Sequence, residues 1–217
     1  MKTTFGLVAA CALIGLAPSA PANLIQNGSF ESPTVPPFLI STLAPDMWQK
    51  TAPGGQADLA VLLNGRYGAA QDGLQYIGVK FGASVYQSFT ISAPGTFSLT
   101  WFDSTEFNGP NQLSPYTASV RDSANNIAAS ADYDANNITG VGFWTARGIN
   151  FALASGTYTL SFDGHSGPFA ELSLIDNVSL VNTSQNVPDR SSSLLLVFIA
   201  GAALIPFRKL VKIEAAC

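Results

Sequence analysis

The sequence predicts an all-β protein, an antiparallel β-sandwich or jelly roll, on three observations. Apolar and polar residues alternate in its central runs. Phe97, Leu99 and Trp101 are separated by Ser98 and Thr100, and Tyr158, Leu160 and Phe162 follow or flank Thr157, Thr159 and Ser161. Val85, Phe89 and Ile91 do the same, with Gln87 as the odd polar member. Period two is the mark of a sheet with one wet face. Turn signals separate the runs: Pro53-Gly54-Gly55, Asn64-Gly65, Asp72-Gly73, Ala93-Pro94-Gly95, Asn108-Gly109-Pro110, Ser155-Gly156 and Asp163-Gly164. No long amphipathic helix interrupts them, and many short strands bounded by turns bury themselves as two packed sheets.

The chain opens with a signal peptide, residues 1–22. Lys2 supplies the positive start, Phe5 to Leu16 the apolar core, and Ala20-Pro21-Ala22 the small residues before a cut that leaves Asn23 first. Val8-Ala9-Ala10-Cys11 also resembles a lipobox, in which Cys11 becomes a lipidated N-terminus; the apolar run continues past it to Leu16. The other cysteine, Cys217, ends the chain, so the exported middle has no disulfide and depends on its core.

Residues 23–186 form that middle, a length suited to one domain with a substantial interior. It holds five basic residues (Lys50, Arg66, Lys80, Arg121, Arg147) against twelve acidic ones. Such a balance leaves no basic patch and argues against a nucleic-acid partner. Its opening, Asn23-Leu24-Ile25-Gln26-Asn27-Gly28-Ser29-Phe30-Glu31, and its close, Leu174-Ile175-Asp176-Asn177-Val178-Ser179-Leu180, are distinctive. Together with Tyr86-Gln87-Ser88-Phe89, Pro94-Gly95-Thr96-Phe97-Ser98-Leu99 and Gly156-Thr157-Tyr158-Thr159-Leu160, they are similar to the galactose-binding-like jelly rolls. That superfamily includes carbohydrate-binding modules, and the resemblance implies the fold more strongly than any ligand.

Alternation along the last strand puts Asp176 on the face of Leu172, Leu174, Val178 and Leu180, where a lone carboxylate is costly. A first strand beside the last brings Glu31 close, and two carboxylates with backbone carbonyls suit a hard cation such as Ca²⁺. The resemblance implies the same pair, Glu31 and Asp176, as ligands of a structural calcium ion. Two other readings stand beside it: a bulge that turns Asp176 outward, and a carboxylate hydrogen-bonded to backbone amides. For sugar binding the sequence offers Trp48, Tyr67 and Trp144, with Tyr116 and Tyr133, as aromatic platforms outside the cleanest core strands. Packing is the competing reading for each. Trp101 alternates with Phe97 and Leu99 and reads as core.

Enzyme chemistry has little support. His165 is the single histidine, in the turn Asp163-Gly164-His165-Ser166-Gly167. No Gly-x-Ser-x-Gly elbow accompanies it and no histidine pair can bind a metal. A pair of acids for glycan hydrolysis remains an alternative, with nothing to single out two of the twelve.

The final segment, residues 187–217, reads as a sorting signal. Val187-Pro188-Asp189-Arg190 leads through Ser191 to Ser193 into an uncharged run, Leu194 to Phe207, closed by Arg208, Lys209 and Lys212. An apolar run stopped by basic residues is a membrane helix, here 191–207, short enough to need snorkelling flanks. A buried C-terminal helix is the alternative, but the run has no polar face. Motif, apolar helix and basic cluster together resemble the PEP-CTERM class of sorting signals, in its Val-Pro-Asp-Ser-Gly variant. Arg190 and Ser191 stand where that variant has Ser and Gly. The resemblance implies an exosortase as partner, reading Val187, Pro188 and Asp189, and a transient inner-membrane-anchored form. The expectation is an exported bacterial protein of the cell surface, outer membrane or exopolysaccharide matrix, non-catalytic and carbohydrate-binding. A purely structural matrix protein and an uncharacterised glycan hydrolase are the alternatives.

Overall fold

The computed structural model describes residues 22–51, 60–106, 114–135, 143–165 and 172–184. The signal peptide, Cys11, the Val187-Pro188-Asp189 motif, the apolar helix and the basic tail lie outside the described residues. Within them, no helix is long and apolar enough to cross a membrane.

Eleven strands are described: β1 (Ile40–Ser41), β2 (Gln49–Thr51), β3 (Ala60–Asn64), β4 (Gln75–Val79), β5 (Ser84–Ile91), β6 (Gly95–Thr105), β7 (Ser114–Asp122), β8 (Ile127–Ala135), β9 (Thr145–Leu153), β10 (Gly156–Gly164) and β11 (Ser173–Asn182). They form a six-stranded sheet, β1-β3-β4-β11-β6-β9, and a five-stranded sheet, β2-β5-β10-β7-β8. Every pairing is antiparallel. Three of the expected turns carry a glycine at positive φ, Gly65 at 62°, Gly73 at 71° and Gly156 at 157°, while Asp163-Gly164 belongs to the end of β10 and Pro53-Gly54-Gly55 and Asn108-Gly109-Pro110 lie outside the described residues.

The alternating residues read as inward do face inward. Phe97, Leu99 and Trp101 from β6 meet Tyr158, Leu160 and Phe162 from β10 and Val85, Phe89 and Ile91 from β5 in one buried core. That core runs from Ile25 to Leu180, so residues 22–184 carry a complete interior of their own.

The opening stretch differs from expectation. Residues 22–39 form no strand, although Leu24 N–H donates to Leu180 O at 2.9 Å and Val178 N–H to Gly28 O at 2.9 Å. The backbone turns left-handed at Asn27 (φ 49°) and Phe30 (φ 58°), which breaks any ladder. Gly28 lies so close to β11 that a Cβ there would sit 2.0 Å from Val178 O. Two buried glutamines replace the missing ladder. Gln87, the odd polar residue of β5, accepts from Gln26 N–H at 2.8 Å and donates to Gln26 O at 2.9 Å. Gln75 donates to Phe30 O at 2.7 Å and Pro33 O at 3.0 Å and accepts from Val35 N–H. Each buried amide is thereby satisfied by the segment that it holds.

The expectation for β11 is also corrected. Its register shifts between Asp176 and Ser179, a bulge that moves the strand from one face to the other. Leu172 and Leu174 therefore pack on the outer side of the six-stranded sheet, while Val178 and Leu180 enter the core.

Candidate functional site

The two sheets differ in what their outer faces carry. On the five-stranded sheet the register places Ser84, Tyr86, Ser88 and Thr90 of β5 outward. Beside them lie Thr157, Thr159, Ser161 and Asp163 of β10, then Thr117, Ser119 and Arg121 of β7, and Ser130 and Asp132 of β8. Gln49 of β2 pairs with Tyr86 at the edge. Alternation explains the composition: each of these residues is the polar partner of an inward apolar one.

Hydrogen bonds tie the face together across four strands. Ser84 donates to Asp163 Oδ1 at 2.5 Å and Ser161 to Asp163 Oδ2 at 2.9 Å. Ser119 and Ser161 hydroxyls are 2.9 Å apart, and those of Ser88 and Thr159 are 3.1 Å apart. Thr117 donates to Asp132 Oδ1 at 2.5 Å, and its Oγ1 lies 2.5 Å from His165 Nε2. Ser88, Thr90, Thr157, Ser130 and Asp132 remain exposed, Tyr86 is half-buried, and Ser119 and Ser161 at the centre of the network are buried. Tyr86 is the aromatic that register puts on this face among the described residues. The result is a field of hydroxyls about 4.8 Å apart between strands, with one ring. It can both donate to and accept from a polyhydroxylated ligand.

The same contacts bear on catalysis. Thr117 sits between His165 and Asp132. In a nucleophilic triad the histidine is central, oriented by the acid and facing the nucleophile. Here the order is different, and His165 is exposed at the end of β10, as a surface-turn histidine.

The six-stranded sheet carries an apolar cluster on its outer face instead. Val61, Leu63, Tyr76, Leu172 and Leu174 are buried there, with Tyr67, Ala70 and Trp144 packed against them. Trp144 meets Tyr76 edge-on at 5.4 Å and donates to Ala69 O at 2.9 Å. Tyr67 N–H donates to the Tyr76 hydroxyl at 2.8 Å. Burial pushes the Tyr76 hydroxyl up to about 12. So the structure brings Tyr67 and Trp144 together, half-buried, as parts of a cap.

Asp176 closes the same cap. Its Oδ2 accepts from Gln71 N–H at 2.8 Å and Asp72 N–H at 3.0 Å, and its Oδ1 from Asn177 N–H at 2.7 Å. Glu31 Oε1 takes the next amides of this loop, Leu74 N–H at 2.8 Å and Gln75 N–H at 2.7 Å. At Gly73 a Cβ would lie 2.5 Å from the Glu31 carboxyl. The contacts are those of carboxylates hydrogen-bonded to backbone amides. Desolvation nevertheless raises Asp176 to about 7, against the pull of those amides. Both carboxylates grip the 71–75 segment, carboxylates are the hard oxygen donors calcium takes, and a desolvated Asp176 would gain from a cation. The chemistry therefore fits. Among the described residues no group of three or more His, Cys, Asp or Glu could hold a metal, so other ligands would be carbonyls or water.

The remaining aromatic candidates are corrected by burial. Trp48 is not a surface platform: it lies in the sandwich core, 5.1 Å from the Phe30 ring and 6.3 Å from Phe162. Its Nε1 donates to Asn27 O at 3.1 Å, which satisfies the one polar atom of a buried indole. Tyr116 is fully buried and donates to Asp103 Oδ2 at 2.8 Å while accepting from Trp101 Nε1 at 2.8 Å. Arg147 Nε reaches the same Asp103 oxygen at 2.9 Å and its guanidinium lies 5.4 Å from the Tyr133 ring centre. Burial raises Asp103, with the Tyr116 and Arg147 hydrogen bonds opposing. Tyr133 stacks on Tyr116 at 5.6 Å. Sequence reasoning looked for rings outside the clean strands and so missed Tyr86, which lies within one. The signal that could have found it is the run of Ser and Thr at the wet positions of β5, β7 and β10.

No protein-family model matches this chain, and no curated protein matches it. Solved structures do match. The chain is similar to TmCBM61, solved in complex with beta-1,4-galactotriose, with a TM-score of 0.51 and 16% identity, over 74% of this chain and 99% of that one. It is similar to the K2 cleaved adhesin domain of Lys-gingipain, with a TM-score of 0.51 and 14% identity, over 71% of this chain and 97% of that one. Part of an arabinose-bound α-L-arabinofuranosidase, MgGH51, also matches, at a TM-score of 0.50 and 15% identity, over 74% of this chain and 26% of that one. At such identities the likeness shows the fold: an all-β, antiparallel two-sheet sandwich of the kind found in carbohydrate-binding modules.

Proposed function

We propose that this is an exported, non-catalytic glycan-binding protein of the bacterial surface or exopolysaccharide matrix, and that it holds its ligand on the outer face of the five-stranded sheet. The observation that carries this reading is the hydroxyl network from Ser84 to Asp132, which carries Tyr86, leaves Ser88, Thr90, Thr157, Ser130 and Asp132 exposed, and has no apolar cluster over it among the described residues. A sugar ring laid on Tyr86 would stack its C–H face there and exchange hydroxyl contacts with β5 and β10. The acidic balance of residues 23–186 favours a neutral glycan over one rich in uronic acids. The fold shared with a module solved with a galactotriose supports the same class of ligand.

Export rests on residues 1–22 and sorting on residues 187–217, read as a signal peptide and an exosortase substrate. Calcium belongs to the proposal as a structural ion that Glu31 and Asp176 would hold, supplying charge compensation and no chemistry. A glycan array probed with residues 22–184 tests the binding. Hits on neutral oligosaccharides that vanish in Tyr86→Ala and persist in Trp144→Ala are expected. A blank array would favour a purely structural matrix protein. Hits lost in Trp144→Ala alone would move the site to the other sheet.

A further inference from the structure

One stretch of the surface is apolar and unaccounted for by glycan binding. Ser32 to Pro45 contains no charged residue. Within and just after it, Phe38 is 71% exposed, Leu43 64%, Met47 60%, Leu39 54% and Ile40 44%. Leu39, Ile40 and Leu43 line one shallow depression, and Phe38 projects beside it near Gly65. Isolated exposed apolar residues are ordinary, but five within ten residues on one segment mark a contact surface.

The occupant follows from three observations. First, β1 is the edge of the six-stranded sheet but is only two residues long, with Pro36, Pro37 and Pro45 around it. Prolines donate no ladder bond, so this edge is blunted against pairing with a strand of another protein. Second, Met47, just past this stretch, lies beside the strand by which the chain leaves the domain, while the register sets β1 level with Tyr76 and Ile77 and so with Ile175 in the first half of β11. Met47 shares a depression with Leu24, Leu24 N–H bonds Leu180 O, and Leu180 stands four residues before Ser184. Third, only residues 185–193 separate Ser184 from the apolar run that begins at Leu194. Nine extended residues span at most about 30 Å. If that run sits in a bilayer, as the sorting reading has it, the domain is held within a short reach of lipid.

We infer that Phe38–Leu43 is a lipid-contact surface, which seats the sandwich on the bilayer by inserting Phe38, Leu39 and Leu43 among the acyl chains. An uncharged segment on an acidic domain needs no anionic headgroup, so zwitterionic lipid is the surface it fits. Seating would hold the domain in one orientation while the C-terminal segment is processed, with Met47, just past the segment, bordering Ser88 and Thr90 of the glycan face.

The inference rests on the sorting reading only for why lipid is near. Its test therefore uses residues 22–184 without the tail. Co-sedimentation with phosphatidylcholine vesicles is expected to pellet this domain, with little dependence on salt. The double variant Leu39→Ser, Leu43→Ser is expected to lower partitioning at least about tenfold with an unchanged melting temperature. Phe38→Trp should keep the binding and shift its emission to the blue on adding vesicles. Three results would overturn the inference: a wild-type domain left in the supernatant at millimolar lipid, a double variant that pellets as the wild type does, or a lipid-free dimer that the same substitutions dissolve. If the tail is not a membrane segment, carbonate extraction releases the full chain from bacterial membranes, a result separate from vesicle binding by the domain.

Discussion

On the five-stranded sheet, Ser88, Thr90 and Thr157 stand at the surface with Tyr86 among them, and their neighbours bond one another side to side. On the six-stranded sheet, the residues at equivalent outward positions are Val61, Leu63, Tyr76 and Leu174, and the 65–74 loop is pulled down over them. Both faces obey the same period-two rule. They differ in what the outward positions hold, and that decides whether a loop is recruited as a lid or the face stays open. Apolar outward residues require a cover, and a cover brings backbone amides that need acceptors, which Asp176 and Glu31 provide. Hydroxyl outward residues satisfy each other, Ser119 and Ser161 even where they are buried, and among the described residues no apolar cluster covers them. The capped face is therefore a stability device, and the open one is available to a ligand.

The sharpest way to break this contrast is through the aromatics. Trp48→Ala empties a core position against Phe30 and Phe162 and is expected to cost about 3–5 kcal/mol in urea unfolding. Tyr86→Ala is expected to cost less than about 1 kcal/mol, as a substitution on an open face. A mild Trp48→Ala that loses glycan would restore Trp48 as a ligand platform and overturn its placement in the core.

Next in size is Asp176→Ala, which leaves the amides of Gln71, Asp72 and Asn177 without their acceptor. A loss of about 3 kcal/mol is expected, since each buried orphan costs about 1–3 kcal/mol and some reach water. The pH dependence has a definite sign. With its folded value near 7 and its ordinary value near 3.8, Asp176 keeps a proton in the folded chain that the unfolded chain has released between those limits. Its contribution to stability is thus fullest below that window and falls as pH rises through it, by up to about 1.4 kcal/mol per unit. Asp176→Asn should flatten that slope in a series of thermal melts. A bound calcium ion would favour the carboxylate and act the opposite way. Millimolar CaCl₂ should then raise the melting temperature at pH 7.5 and EDTA should lower it, in wild type but not in Asp176→Asn. Melts indifferent to both would remove calcium from the proposal and leave the amide contacts as the whole account.

The sandwich was legible because its signal is local. Alternation in β5, β6 and β10 and the glycines after Asn64, Asp72 and Ser155 each report on a few neighbouring residues. The β11 bulge was legible only as an alternative, because Asp176 and Val178 read as same-face until the register against β6 is known. The opening segment misled for a related reason. Its apolar residues are buried as a strand's would be, but side-chain amides of Gln75 and Gln87 hold it, 61 residues away from Gln26 in the second case. Nothing in residues 22–39 announces partners at that distance. Trp48 failed as a platform because the ring lies just before β2 rather than within a run, and period two says nothing about a residue outside one. Tyr86 was passed over from the opposite side: alternation marks the wet face without saying which wet residue a ligand would choose.

Binding itself gives the third prediction. Tyr86→Ala should weaken retention on a neutral-glycan column at least about tenfold, because one ring–sugar stack is of the order of a single well-placed aromatic contact. Asp163→Asn keeps the size of a group that accepts from both Ser84 and Ser161 and should weaken retention less. Equal retention by both variants and wild type would leave the open face without a ligand.

The smallest effect expected is at Trp144, and it separates the two faces most directly. Trp144 covers Tyr76 and reaches Ala69, yet it is half-buried and lies before β9 rather than in it. Truncation to alanine should cost about 1 kcal/mol, because the cap keeps Tyr67 and the Asp176 contacts when the indole is gone. Glycan retention should be unchanged, since the five-stranded face lies on the other side of the core. If Trp144→Ala instead abolishes retention at little cost to stability, the indole is reading a sugar, and the capped face is a binding site with its lid already in place.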